Sequence, residues 1–94
     1  GLEPRLVLDA IEEGPLEAPY MRIKAEMMLK GEYPPSFRLA LAAKDARLAV
    51  AAGEEAGAEI PAIEAIAAQM TAVAAEHPDD DLAVLFRGTT PRKA

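Results

Sequence analysis

Residues 36–57 read SFRLALAAKDARLAVAAGEEAG, and the fold of the whole chain turns on this stretch. Pro34-Pro35 just ahead enforces an extended entry, Ser36 can cap a helix, and Gly57 is well placed to take the left-handed conformation that ends one. At about 100° per residue, Phe37, Leu41, Lys44 and Leu48 fall within an arc of about 60°. Leu39, Ala43, Ala46 and Val50 form a second apolar stripe on another side. A surface helix needs only one such stripe, so this one is either central in a bundle or shared between the bundle and something outside the chain. Lys44 is the odd member, because a cation within an apolar stripe must snorkel, find an anion or line a cleft. Asp45 is turned about 100° from it and cannot face the same way, so any anionic partner of Lys44 comes from elsewhere.

Proline and glycine cut the rest of the chain into further helices, with no Asn-Gly or Asp-Gly hairpin and no alternating apolar run to suggest a strand. The first is expected from about Glu3 to Glu13, with Pro4 in its first turn, Leu6, Val7, Ala10 and Ile11 on one face, and Gly14-Pro15 as its stop. The second runs from Pro19 to Gly31, with Tyr20, Ile23, Met27 and Met28 at helical spacing and Arg22, Lys24, Glu26 and Lys30 on the polar face. Beyond Gly57, Pro61 opens a helix through Glu76 whose stripe is Ile63, Ile66, Met70 and Val73. The aspartates at 79–81 open a last short helix through about Arg87, with Leu82, Leu85 and Phe86 inward. Residues 89–94 read as a flexible tail. The expectation is an all-α chain, a compact bundle of about five helices joined by short connections.

Composition agrees, since 51% of the 94 residues are hydrophobic and only 4% aromatic. Alanine makes up roughly a fifth, which favours helices and lets them approach closely. Ten basic against sixteen acidic residues leave a net charge of −6, the wrong sign for a surface that neutralises phosphates, so no nucleic-acid partner is expected. There is no cysteine and one histidine, hence no disulfide frame, no thiol nucleophile and no clustered zinc site. No apolar run reaches the roughly 18 residues of a membrane span, and no signal peptide opens the sequence, which points to a cytoplasmic chain. Ninety-four residues are also too few for a complete dinucleotide enzyme, whose doubly wound sheet needs many βαβ units of about 30 residues each.

The order of residues then matters more than their periodicity. Phe37, six residues, Lys44-Asp45, then Leu48-Ala49, Gly57, Pro61 and the aspartate run before Leu82-Ala83-Val84 resembles the C-terminal domain of the β-hydroxyacid dehydrogenases. These include 3-hydroxyisobutyrate dehydrogenase and tartronate semialdehyde reductase. Gly1-Leu2-Glu3-Pro4, Gly14-Pro15, Met28-Leu29 and Gly31-Glu32-Tyr33 are similar to the segment that precedes the motif in that family, so the resemblance covers about residues 1–88. It implies a helical domain like the C-terminal domain of 6-phosphogluconate dehydrogenase, packed against an upstream Rossmann domain and closing the cleft between cofactor and substrate. By the same resemblance Lys44 reaches bound NAD or NADP near its nicotinamide end, Phe37 lines the cleft, and Asp45 supports it. The family's catalytic lysine and companion asparagine precede the segment matching Gly1, and its glycine-rich dinucleotide turn lies far upstream. No catalytic residue is therefore expected in this stretch, which alone should be inactive. The family commonly has a glycine-rich turn before the last helix, where this chain has Glu76-His77-Pro78. Uncovered apolar stripes further imply a homo-oligomer.

The remaining candidates read as structural. His77 ends a helix and fits a capping or surface place, and no metal role is assigned to it. Asp79–Asp81 lack the alternating spacing of a calcium loop and read as an N-terminal capping cluster. Glu12-Glu13 and Glu54-Glu55 read as solvated helix ends. The rival reading of the whole is a non-catalytic helical module whose doubly apolar long helix supplies a dimer or partner surface, with Lys44 merely snorkelling.

Overall fold

Proline opens three of the four α-helices, at the first-turn positions where its missing N–H costs nothing. The computed structural model describes residues 1–89. It contains α1 (Pro4–Ile11), α2 (Pro19–Lys30), α3 (Leu39–Ala56), α4 (Pro61–Ala74) and a closing 3₁₀ helix (Leu82–Thr89). Among the described residues no strand forms, only a single bridge between Arg38 and Asp81. The all-α expectation with five helical segments holds. The helices sort into two units, residues 1–32 and the chain from Tyr33 onward.

In the first unit α1 stops at Ile11, two residues short of the expected Glu13. Glu13 itself is left-handed, with φ of 59°, and its N–H donates to the Glu17 carboxylate at 2.7 Å. The cause lies downstream, because Pro15 steers Gly14 out of the helical region and the chain unwinds ahead of it. Arg5 forks onto both oxygens of Glu26 at 2.9 and 3.2 Å, tying α1 to α2. Arg22 donates to Glu17 at 2.6 Å and to the Leu8 carbonyl at 3.4 Å.

The apolar faces expected here are covered only in part, with Ile11, Met27 and Met28 half-buried. Leu8 is buried, whereas Leu6, Val7, Tyr20 and Ile23 are exposed. Lys24, expected on the polar face of α2, is buried, with its ammonium 5.1 Å from the centre of the Tyr20 ring. Its apolar stem and a cation–π contact permit that burial, and neither is visible in helical spacing.

The second unit is built on α3. Its core face carries Leu39, Ala42, Ala43 and Ala46, all buried, and Ala67 is the buried residue of α4. Small side chains let the two helices lie close. At Gly53 a Cβ would run into Cδ1 of Ile60, the residue that precedes α4. Gly57 ends α3 in the left-handed conformation at φ of 71°, as expected.

Three details differ from expectation. The helix starts at Leu39 and not at Ser36, and its N-cap Arg38 supplies no side-chain hydrogen bond. The carbonyls of Asp80 and Pro78 do that work, accepting from Leu39 N–H at 2.9 Å and Ala40 N–H at 3.0 Å. In α4, which ends at Ala74, Ala67 and not Ile66 faces the core, and Ile66 is exposed. The final segment is a 3₁₀ helix, so its three-residue turn brings Ala83 and Val84 inward and leaves Phe86 exposed. Of the expected tail, Thr89 is the last residue of that helix and 90–94 lie outside the described residues.

Candidate functional site on the long helix

The core face of α3 turns Leu41, Lys44 and Leu48 away from the packed alanines. Leu41 is 41% exposed and Leu48 59%, while Leu39 on the opposite side is fully buried. Lys44 sits three residues after Leu41 and four before Leu48, so all three share one side of the helix. Lys44 is exposed, and among the described residues its ammonium makes no ion pair or hydrogen bond. Asp45 is exposed and unpaired among the same residues, on the other flank of the Leu41–Leu48 line. The structure does not bring Lys44 and Asp45 together.

Phe37 stands two residues before α3 and is 39% exposed. Its backbone is held on both sides. The Phe37 N–H donates to Oδ1 of Asp81 at 3.2 Å, and its carbonyl accepts from Leu82 N–H at 2.8 Å. The same Oδ1 accepts from the Ser36 N–H at 3.0 Å and hydroxyl at 3.1 Å, while Oδ2 accepts from Ala83 N–H at 2.9 Å. Ser36, expected as a helix cap, is thus tied to Asp81.

The three aspartates divide their tasks. Asp79 pairs with Arg38 at 3.3 Å, Asp80 faces His77 at 3.2 Å, and Asp81 is fully buried. Only the bond from Ala83, two residues on, is the local cap that an Asp before a helix announces. The link to Ser36 and Phe37 spans most of the second unit and leaves no mark in local sequence. His77 and Asp80 sit where α4 ends, in keeping with the capping place expected for the histidine.

An open groove of about 510 Å³ lies elsewhere, between α3 and α4, lined by residues that include Arg47, Val50, Glu64, Ala67 and Thr71. Its walls hold none of Phe37, Lys44 or Asp45. Arg47 bridges it by donating to the Thr71 hydroxyl at 3.2 Å. The uncovered side of α3 is thus an open strip and not an enclosed pocket. Chemically it offers a fixed cation set in an apolar strip, which suits a ligand with both anionic and flat apolar parts.

The chain matches the family described as NAD-binding of NADP-dependent 3-hydroxyisobutyrate dehydrogenase over residues 1–87. It belongs to that family. The match runs through both units and includes Phe37, Lys44, Asp45 and Asp81. Two relatives from Arabidopsis thaliana accompany it. Glyoxylate/succinic semialdehyde reductase 2, chloroplastic, is 29% identical across all of this chain, and glyoxylate/succinic semialdehyde reductase 1 is 38% identical over 65% of it. This chain spans 26% and 21% of their respective lengths. Members of the family bind a nicotinamide dinucleotide, and the unpaired Lys44 ammonium on an uncovered apolar strip is chemically compatible with such a ligand.

Proposed function

We propose that this chain is the helical C-terminal domain of an NAD(P)-dependent oxidoreductase acting on a small β-hydroxy acid or semialdehyde, and that it closes the cleft between cofactor and substrate. The observation that carries this reading is Lys44, unpaired on the uncovered side of α3 in a chain of this family. Bound NAD(P) supplies the hydride acceptor or donor. Lys44 holds the dinucleotide by its charge, from a helix whose other side is locked by packing. Phe37 shapes the pocket and excludes water, and Asp45 supports it from the other flank. The upstream Rossmann domain is the partner that completes the site, and the printed names of the two relatives make a semialdehyde or glyoxylate a reasonable first substrate to assay.

The test is Lys44→Ala in the intact protein that carries this segment. A charge-assisted contact is worth about 1.5–3 kcal/mol, so the KM for the dinucleotide should rise about tenfold or more, with little change in thermal stability. An unchanged KM counts against the assignment.

A second reading rests on the exposure of Leu41 and Leu48 together with Leu6 and Val7. These faces also suit a helical association module, and under either reading the isolated chain should self-associate. Sedimentation at high micromolar concentration checks this, and a strict monomer would remove the support for a homo-oligomer.

A further inference from the structure

Asp81 has no role in the proposed binding chemistry, yet it is fully buried and spends both of its oxygens on backbone and hydroxyl donors. Taking a carboxylate out of water is costly, and a fold retains one when its hydrogen bonds settle a geometry that matters. Three of these bonds converge on residues 36–37, and another comes from the N–H of Ala83. Backbone bonds reinforce the same junction, with Asp81 N–H donating to Tyr33 O at 3.0 Å and Leu82 N–H to Phe37 O at 2.8 Å. Packing alone cannot fix Phe37, because its ring is partly in solvent. Its backbone is nevertheless pinned at N–H and at carbonyl by two consecutive residues of another segment.

We infer that Asp81 is a positioning residue, which sets the Phe37 ring at the head of α3 for contact with the dinucleotide or substrate. The inference deepens the proposed function and rests on it. Displacements on the order of 1 Å at such sites cost up to about a hundredfold in turnover.

The experiment is a double-substitution cycle in the intact protein, with Asp81→Asn, Phe37→Ala and their combination. Asparagine keeps the shape but cannot accept on both sides. Three quantities are read: kcat/KM, dinucleotide affinity by nucleotide fluorescence, and amide hydrogen exchange. Asp81→Asn should lower kcat/KM about tenfold and speed exchange at Ser36, Phe37 and Ala83 while leaving Ala46 protected. Its effect should largely vanish when Phe37 is already alanine. Independent, multiplying effects of the two substitutions overturn the inference, as does unaltered kcat/KM and affinity in a folded Asp81→Asn protein. Should Asp81→Asn not fold, Ser36→Ala removes the hydroxyl bond to Asp81 and replaces it in the same cycle with the same criteria. If Phe37→Ala and Lys44→Ala both leave dinucleotide affinity unchanged, the proposed function itself fails and this inference falls with it. If they weaken it and Asp81→Asn does not, only the inference fails.

Discussion

The two sides of α3 are made from nearly the same residue types and have opposite fates. One side carries Leu39, Ala42, Ala43 and Ala46 and is sealed, while the other carries Leu41, Lys44 and Leu48 and stays open. The sealed side is mostly alanine, and the open side sets a lysine between two leucines. Alanines admit a second helix at close range, and α4 meets them with Ala67. Leu41 and Leu48 sit instead beside a lysine that no residue of the described chain neutralises. A helix can thus be fully committed to its own fold on one side and left uncovered on the other.

The sharpest way to break this contrast is to shorten a leucine on each side. Leu39→Ala should cost about 2–5 kcal/mol, as expected for a buried leucine whose site only partly collapses. Leu48→Ala should stay within about 0.5 kcal/mol. Urea denaturation of the two variants checks both, and equal costs would mean that the open side is covered after all.

Enlarging alanines probes the same difference in the other direction. Ala43, at 1% exposure, has no room, so Ala43→Leu should cost about 1–3 kcal/mol through overpacking. Ala52→Leu on the exposed side should move the unfolding midpoint little.

The smallest expected effect concerns the first unit, which relies on surface charge where α3 and α4 rely on close packing. Glu17 lies below the ordinary glutamate range because Arg22 donates to it, helped by the Glu13 N–H, and Glu26 is lowered by the Arg5 fork. Both carboxyls are depressed in the folded chain. Their contribution is therefore complete above the unfolded value of about 4.3 and is lost as pH falls through their lower folded values. Amide exchange in α1 and α2 should quicken over that acid window and in molar salt, while α3 and α4 stay protected. Equal responses in the two units would erase the distinction.

Much of this was legible in the order of residues. Pro4, Pro19 and Pro61 open helices, Gly31 and Gly57 close them, and the sealed stripe of Leu39, Ala43 and Ala46 follows from a 3.6-residue period. What stayed hidden depends on distant partners. Helical spacing marks Leu6 and Val7 as a face without saying what lies against it, and it cannot foresee that Lys24 is buried beside Tyr20. Ser36 has the chemistry of a cap and was drawn instead to Asp81, because the carbonyls at 78 and 80 had already taken the leading N–H groups of α3. At the site, Lys44 was recognisable as an anomaly within its own helix. Asp81 was not, since its bonds to Ser36 and Phe37 reach across the chain.

The carbonyl cap on α3 has a consequence for how the turn at 76–80 can vary. A cap made by a serine or aspartate side chain is lost in a single substitution, but Pro78 and Asp80 contribute through atoms that every residue possesses. The turn is accordingly permissive in composition, and Glu76-His77-Pro78 can serve there as well as other residues would. Its length is what the helix reads. Adding or deleting one residue there would put both carbonyls out of step with the N–H groups of Leu39 and Ala40, and would carry Asp81 away from Phe37 in the same stroke.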